Sequence, residues 1–145
     1  MGMKMLKQAH TVYQTQYHVL WVTRYRRKIL VQGIDVYIEK IFREIGKYYP
    51  DVSIHEIGID KDHIHLHIII PPKYAVSQIV GALKANTSRI LREKFSDFLS
   101  KVYWDNGGIW ATGFFVSTVG VNESTIRRYV RMQGKHDAGE VILDL

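Results

Sequence analysis

The sequence predicts an α+β fold: a ferredoxin-like, or RRM-like, βαββαβ antiparallel sheet with helices on one face, followed by one more helix. Three observations carry this. Strand-like and helix-like segments follow one another in the order strand, helix, strand, strand, helix, strand, helix, and the first six match the split βαβ pattern. The two central strand-like segments are joined by a tight polar turn typical of a hairpin. Hydrophobic residues make up 46% of the chain and charged residues 23%, the balance of a globular protein rather than a disordered one. The 145 residues suit a single domain spanning residues 1–145 with a core of useful size.

The elements follow in order. Val12 to Thr23 is rich in β-branched and aromatic residues and reads as the first strand; the basic cluster Arg24, Arg26, Arg27 and Lys28 comes next. In "GIDVYIEKIFREIGKYY" the apolar residues Val36, Ile38, Ile41, Phe42 and Ile45 recur near helical spacing, with Asp35 as a candidate cap and Pro50 as the stop. "DVSIHEIGI" and "DHIHLHIII" read as the second and third strands, joined through "DKD", and Pro71-Pro72 closes the third. "YAVSQIVGALKANTSRILREKF" gathers Val76, Ile79, Val80, Leu83, Ile90 and Leu91 on one helical face and Lys84, Arg89, Arg92 and Lys94 on the other. "IWATGFFVSTVG" is strand-like. A last helix, about residues 122–134, begins with Asn122 as N-cap and Glu123 in its first turn. The end, "GKHDAGEVILDL", reads as an arm or short strand.

A formal net charge of +6 fits a polyanionic partner such as nucleic acid. With no cysteine, disulfides and thiolate metal sites are excluded, so a metal would need histidine, carboxylate, amide or water. No signal peptide and no apolar run of membrane-spanning length is present, so a cytoplasmic protein without a membrane partner is expected.

"DHIHLHIII" is the most informative stretch. Side chains alternate along a strand, so His63, His65 and His67 share one face while Ile64, Leu66 and Ile68 share the other. A solvent face more often uses Lys, Glu, Thr or Ser. Histidines two apart suit a divalent metal, although a plain histidine-rich face reads the same way. A two-residue hairpin loop sets Glu56 opposite His65 or His67 and leaves Ile57 and Ile59 with the core set. A three-residue loop would put those isoleucines among the histidines. Asp62, at the turn, is placed to orient a ligand.

Tyr129 and Gln133 lie four apart on one face of the last helix. A tyrosine beside a metal-polarised phosphate can attack phosphorus and form a phosphotyrosine, and Gln133 can offer an amide oxygen to the metal; an amphipathic helix equally uses such a tyrosine for packing. Arg127, Arg128 and Arg131 surround it. With Arg24, Arg26, Arg27, Lys84 and Arg89 they can form a phosphate track, or simply solvated faces. Trp21, Trp104, Trp110, Phe114 and Phe115 are base-stacking or core candidates.

These pieces together resemble the small single-tyrosine HUH transposases of bacterial and archaeal insertion sequences, the 200/605 type. The resemblance runs from "YHVLWVTRYRRK" through "DHIHLHIIIPPKYAVSQIVGALK" and "WATGFFVSTVG" to "IRRYVRMQ". Its histidine–hydrophobic–histidine motif, preceded by an acidic residue or Asn, falls on Asp62, His63 and His65. His67 departs from the family pattern, and His65 with His67 is an alternative pair. The family's nucleophile and following glutamine fall on Tyr129 and Gln133. Glu56 is a further ligand candidate by geometry, and His18 stands where the family commonly has histidine. The resemblance implies cleavage and rejoining of single-stranded DNA with hairpin ends through a 5′-phosphotyrosine. It also implies Mg²⁺ or Mn²⁺, no ATP, a homodimer whose active site is shared in trans by the tyrosine helix, and a cytoplasmic, nucleoid-associated location. Alternatives are a repeat-associated transposase or replication initiator, a zinc hydrolase using His63, His65 and His67, and a non-enzymatic nucleic-acid binder.

Overall fold

Two strands where the sequence reads as one open the structure. The computed structural model describes residues 6–8, 11–13, 15–31, 33–105, 107–118 and 122–137. Strand β1 (Leu6–Gln8) pairs with β2 (Thr11–Tyr13) in a two-stranded antiparallel ribbon, whereas β3 (Gln16–Val22) belongs to the main sheet. The single strand expected over Val12–Thr23 is thus split, because β-branched composition marks extended chain but not a change of pairing partner. Thr23, just past the strand, makes an isolated bridge to Trp110.

The remaining elements are α1 (Ile34–Arg43), β4 (Ser53–Ile59), β5 (His63–Ile69), α2 (Val76–Lys94), α3 (Ser96–Val102), β6 (Phe115–Ser117) and α4 (Glu123–Asp137). The main sheet has the antiparallel order β4-β5-β3-β6, which is the ferredoxin-like arrangement expected. The β4–β5 hairpin closes with a two-residue turn, Lys61–Asp62, where the Asp60 amide donates to the His63 carbonyl at 3.0 Å. Ile59 pairs with Ile64, Gly58 with His65, Ile57 with Leu66 and Glu56 with His67. Beyond Glu56 the register shifts so that Ile54 meets Ile68, leaving His55 as the extra residue of a bulge. That shift keeps Ile54 against the core despite the change of parity.

The core lies between this sheet and helices α1, α2 and α3. Trp21, Ile64, Leu66 and Ile68 from the sheet meet Ile34, Ile38 and Phe42 of α1, Ile79, Leu83 and Leu91 of α2, and Leu99 of α3. Trp21 sits edge-on to Phe42 and Trp110, at 5.7 and 5.9 Å between ring centroids. A smaller cluster covers the opposite face, where Leu20 and Val22 of β3 meet Tyr129 and Val130 of α4.

Several local expectations change. Asp35 does not cap α1: Gly33 holds the N-cap position at φ 95° and Asp35 lies in the first turn. The helix ends at Arg43, and a 3₁₀ turn at Ile45–Lys47 precedes Pro50, so proline is not its terminator. Val36 is exposed, and the buried stripe is Ile34, Ile38 and Phe42. Helix α3, which has no counterpart among the expected elements, is a short amphipathic segment carrying Leu99 into the core. The strand within "IWATGFFVSTVG" shortens to β6. Asn122 does cap α4, its Oδ1 accepting from the Thr125 amide at 2.8 Å. The helix runs past Gln133 to Asp137, and the rest of the expected C-terminal arm lies outside the described residues.

Thr87 is buried at 0% in the middle of the apolar stripe of α2. Its hydroxyl donates to the Leu83 carbonyl at 2.7 Å and accepts from the Trp110 indole at 2.8 Å. Thr87→Val keeps the shape but leaves the indole N–H without an acceptor. The variant should lose about 1–3 kcal/mol in urea unfolding while Thr87→Ser loses less.

Candidate active site

The odd-numbered side chains of β5 face away from the core, while Ile64, Leu66 and Ile68 are buried at 0% on the other side. His63, His65 and His67 therefore share the second face of the sheet. Neighbouring strands extend the group. The His18 ring of β3 stacks on His67 with centroids 4.6 Å apart and planes 10° apart, and on His65 at 5.6 Å and 16°. The His55 ring lies 5.4 Å from His67. A row of imidazoles thus crosses three strands. His55 joins it only because of the bulge, which leaves no mark in the alternation of the sequence.

Hydrogen bonding divides these histidines. The His67 Nε2 donates to Gln16 Oε1 at 2.7 Å, so that nitrogen is committed within the protein. His63 Nδ1 lies 2.8 Å from Asp62 Oδ1. A carboxylate accepts, so in the neutral ring the proton sits on Nδ1 and the Nε2 lone pair is left for a ligand. Asp62 is 8% exposed and its other oxygen lies 3.5 Å from Arg26 Nε, which steadies it. His65 Nε2 is buried with no hydrogen-bond partner among the described residues. Burial, followed by the neighbouring His18, lowers the pKa of both His65 and His67. Both rings thus favour the neutral form that binds metals.

Gln133, on α4, is the remaining candidate donor. It is 2% exposed, and its Nε2 donates to the Thr112 carbonyl at 3.1 Å, which leaves its amide oxygen as an acceptor. Two imidazole nitrogens and an amide oxygen fit a divalent ion that fills its remaining positions with oxygen ligands. Among the described residues no three His, Asp or Glu side chains come together as a metal cluster. His63, His65 and His67 thus do not stand together as a three-histidine group among the described residues, nor does Glu56 with two of them. Glu56 is exposed on the edge strand opposite His67, the histidine already held by Gln16.

Helix α4 sets Tyr129 over this face. Its side chain is 3% exposed, in the cluster of Leu20, Val22, Ala111 and Val130, with the Phe115 ring 5.9 Å away. Leu20 pairs across the sheet with His65 and Val22 with His63. The tyrosine is thus anchored toward the end of β5 that carries His63 and His65, away from His67 and Glu56.

The expected basic track divides as well. Arg26, Arg127, Arg128 and Arg131 line an open cleft of about 970 Å³ together with Asp62 and His63. Arg24 does not join them: its guanidinium grips Asp105 in a fork at 2.7 and 2.9 Å and stacks on Tyr103. Lys84 donates to the carbonyls of Ala111 and Gly113 at 2.8 and 2.9 Å, with its pKa lowered by burial. Both serve the scaffold rather than a solvated phosphate surface, because their neighbours supply acceptors that a helical wheel cannot reveal. Arg27 borders a second cleft, and Arg89 sits on the exposed side of α2 beside a groove with Tyr48 and Asn86. Trp21 and Trp110 belong to the core, Phe114 is half-buried against it and Phe115 packs beside Tyr129, whereas Trp104 is 97% exposed.

The lowered pKa values have a consequence for the metal-free protein. Unfolded histidines keep the ordinary value of 6.5 and take up protons that folded His65 and His67 resist. Stability should fall as the pH drops from 6.5 through the lower folded values and should be insensitive to these groups above 6.5. Chelator-treated protein, unfolded by urea across this window, should show the slope, and His65→Gln should flatten it; an unchanged slope in the variant would contradict the assignment.

Comparison with known proteins identifies the family. The family model described as "Transposase IS200 like" matches residues 11–133. The transposase for insertion sequence element IS200 of Salmonella typhimurium is 34% identical over 129 residues, covering 89% of this chain and 83% of that protein. The ISDra2 transposase TnpA of Deinococcus radiodurans is 27% identical over 136 residues, covering 93% and 94%. Among solved structures, the crystal structure of a Deinococcus radiodurans transposase superposes with a TM-score of 0.75 at 26% identity, over 89% of this chain and 98% of the other. A REP-associated tyrosine transposase bound to a REP hairpin shares the fold, with a TM-score of 0.51 at 14% identity over 94% and 76%. The family match spans most of the chain and takes in every element of the histidine face, so the chain belongs to the IS200-like transposase family.

Proposed function

We propose that this transposase cleaves and rejoins single-stranded DNA at the ends of its insertion element, with Tyr129 as nucleophile and a divalent ion held by His63, His65 and Gln133. The observation that supports this reading best is the division of the histidines: His65 Nε2 has no partner among the described residues, His63 is oriented by Asp62, and α4 packs on the strand residues opposite these two. When bound, Mg²⁺ or Mn²⁺ supplies a Lewis acid for a phosphate oxygen. The Tyr129 hydroxyl attacks the scissile phosphorus, losing its proton, and the bond to the 3′-oxygen breaks. The products are a 5′-phosphotyrosine and a free 3′-hydroxyl. A 3′-hydroxyl later attacks the same phosphorus and releases the tyrosine. One phosphodiester-like bond replaces another at each step, so no ATP is required. Arg26, Arg127, Arg128 and Arg131 neutralise the phosphates that flank the reacting one.

Tyr129 and Gln133 are buried, so α4 has to move before the hydroxyl reaches a phosphate, and its exchange within a homodimer is proposed as that movement. Two chains supply the two nucleophiles that two element ends require. Hairpins in the single-stranded ends are the proposed recognition signal.

The test uses single-stranded oligonucleotides spanning the genomic flanks of the gene, with Mg²⁺ or Mn²⁺, and looks for an adduct that survives denaturation. Tyr129→Phe should abolish it. His63→Ala and His65→Ala should each abolish cleavage while His67→Ala retains it; the reverse pattern would move the metal pair to His65 and His67. Asp62→Asn should cost roughly ten- to hundredfold in metal affinity or activity. Mixing Tyr129→Phe chains with His65→Ala chains should restore activity if the site is shared in trans, and no restoration would assign the site to one chain.

A further inference from the structure

The turn after β3 separates two clefts. Arg24–Arg26 form a 3₁₀ turn in which Tyr25 and Arg26 adopt left-handed backbone, φ 59° and 51°, at a cost of about 1–2 kcal/mol each. The surroundings hold it there. The Thr23 hydroxyl donates to the Arg27 carbonyl at 2.7 Å, the Tyr103 hydroxyl donates to the Arg24 carbonyl at 2.7 Å, and Arg24 is forked onto Asp105. The result sends adjacent side chains to opposite sides. Arg26 borders the cleft of His63, whereas Tyr25 and Arg27 border a second cleft of about 610 Å³ with Lys101 and Trp104.

That second cleft has the chemistry of a nucleotide platform. Trp104 is 97% exposed, and Tyr25 is 54% exposed. Arg27 and Lys101 are exposed and make no ion pair among the described residues. Asp105, the carboxylate in the cleft, is neutralised by Arg24 at 2.7 Å and Arg92 at 3.8 Å. An indole this exposed offers its ring face to a stacking partner. An exposed indole beside two cations that make no ion pair among the described residues matches the alternation of base and phosphate in a single strand. A duplex hides its base faces, so this arrangement favours a single strand.

We propose that this cleft is a second DNA subsite, in which a base of the single strand leaving the histidine cleft crosses the Arg24–Arg26 turn and stacks on Trp104, with its phosphates against Arg27 and Lys101. It rests on the single-strand reading above for the path of the DNA. Its role is to hold the flank of the cleaved phosphate independently of base identity.

Trp21 and Trp110 are 0% and 8% exposed, so indole fluorescence quenched by DNA reports chiefly on Trp104. A fluorescein-labelled oligothymidylate, followed by anisotropy, gives affinity in parallel. The wild-type chain should bind it with quenching. Trp104→Ala should weaken binding by about tenfold or more while Trp104→Phe retains most of the affinity without the quench. Arg27→Ala and Lys101→Ala should each reduce the salt slope of binding by roughly one. Binding without quenching, no binding, or Trp104→Ala affinity within about twofold of wild type would overturn the subsite, twofold being well below one stacked base. So would a Trp104→Ala chain that loses its dimer in light scattering at unchanged DNA affinity, because the indole would then belong to a contact between copies. The adduct assay keeps the two claims apart: an adduct at the genomic ends with no effect of Trp104→Ala removes the subsite alone. Quenching without any adduct removes the nucleophile assignment alone.

Discussion

The parity of one hairpin decides whether this chain has a candidate site at all. The two-residue turn at Lys61–Asp62, closed between Asp60 and His63, pairs odd positions of β5 with even positions of β4. A slip of one residue would carry the histidines of β5 into the core and its isoleucines into solvent. Three buried isoleucine and leucine side chains on the inner face resist that slip, each stabilising the register by about 1.5–3 kcal/mol of burial. The same turn ends in Asp62, whose carboxylate orients His63, and the Asp62 carbonyl accepts from the Thr23 amide, which fixes the start of the Arg24–Arg26 turn. Register, imidazole orientation and the divide between the two clefts therefore share one short segment.

The two faces of the sheet do different work. One is a conventional apolar layer beneath α1, α2 and α3, with Thr87 and Trp110 satisfying each other inside it. The other carries polar rings that a lone sheet would leave to water, and α4 is held there by the small cluster around Leu20 and Val22 and by the Gln133–Thr112 hydrogen bond. A few side chains of burial make a weak attachment compared with the main core, which suits a helix proposed to exchange between chains. The histidine row also shows how position assigns roles to identical side chains. His67 is tied to Gln16, His63 to Asp62, and His65 is left with a buried nitrogen lacking a partner among the described residues.

Much of this was legible in the sequence because it rests on strict alternation. The β4–β5 pairing, the face shared by His63 and His65, the Asn122 cap and the i, i+4 placement of Tyr129 and Gln133 are local patterns with one geometric solution. The family itself was legible from motifs in order. What escaped depends on partners distant in the chain. The break between β2 and β3 is a change of pairing partner, and the bulge that brings His55 to the histidine row adds a residue without altering composition. Lys84 reads as a solvated lysine until the loop carrying Ala111 and Gly113 offers it two carbonyls, and Arg24 reads as a phosphate contact until Asp105 takes it. Thr87 interrupts an apolar stripe for the sake of Trp110.

Tyr129, and no other of the nine tyrosines, is proposed to become joined to DNA. The most direct measurement is mass spectrometry of the trapped adduct after nuclease and trypsin digestion. Tyr129 follows Arg128 and Arg131 lies two residues on, so the tripeptide Tyr129–Val130–Arg131 isolates it. The expected product is a nucleotide attached through a 5′-phosphate to that tripeptide. A nucleotide on a peptide bearing any other tyrosine, or cleavage that leaves no nucleotide on protein, would contradict it.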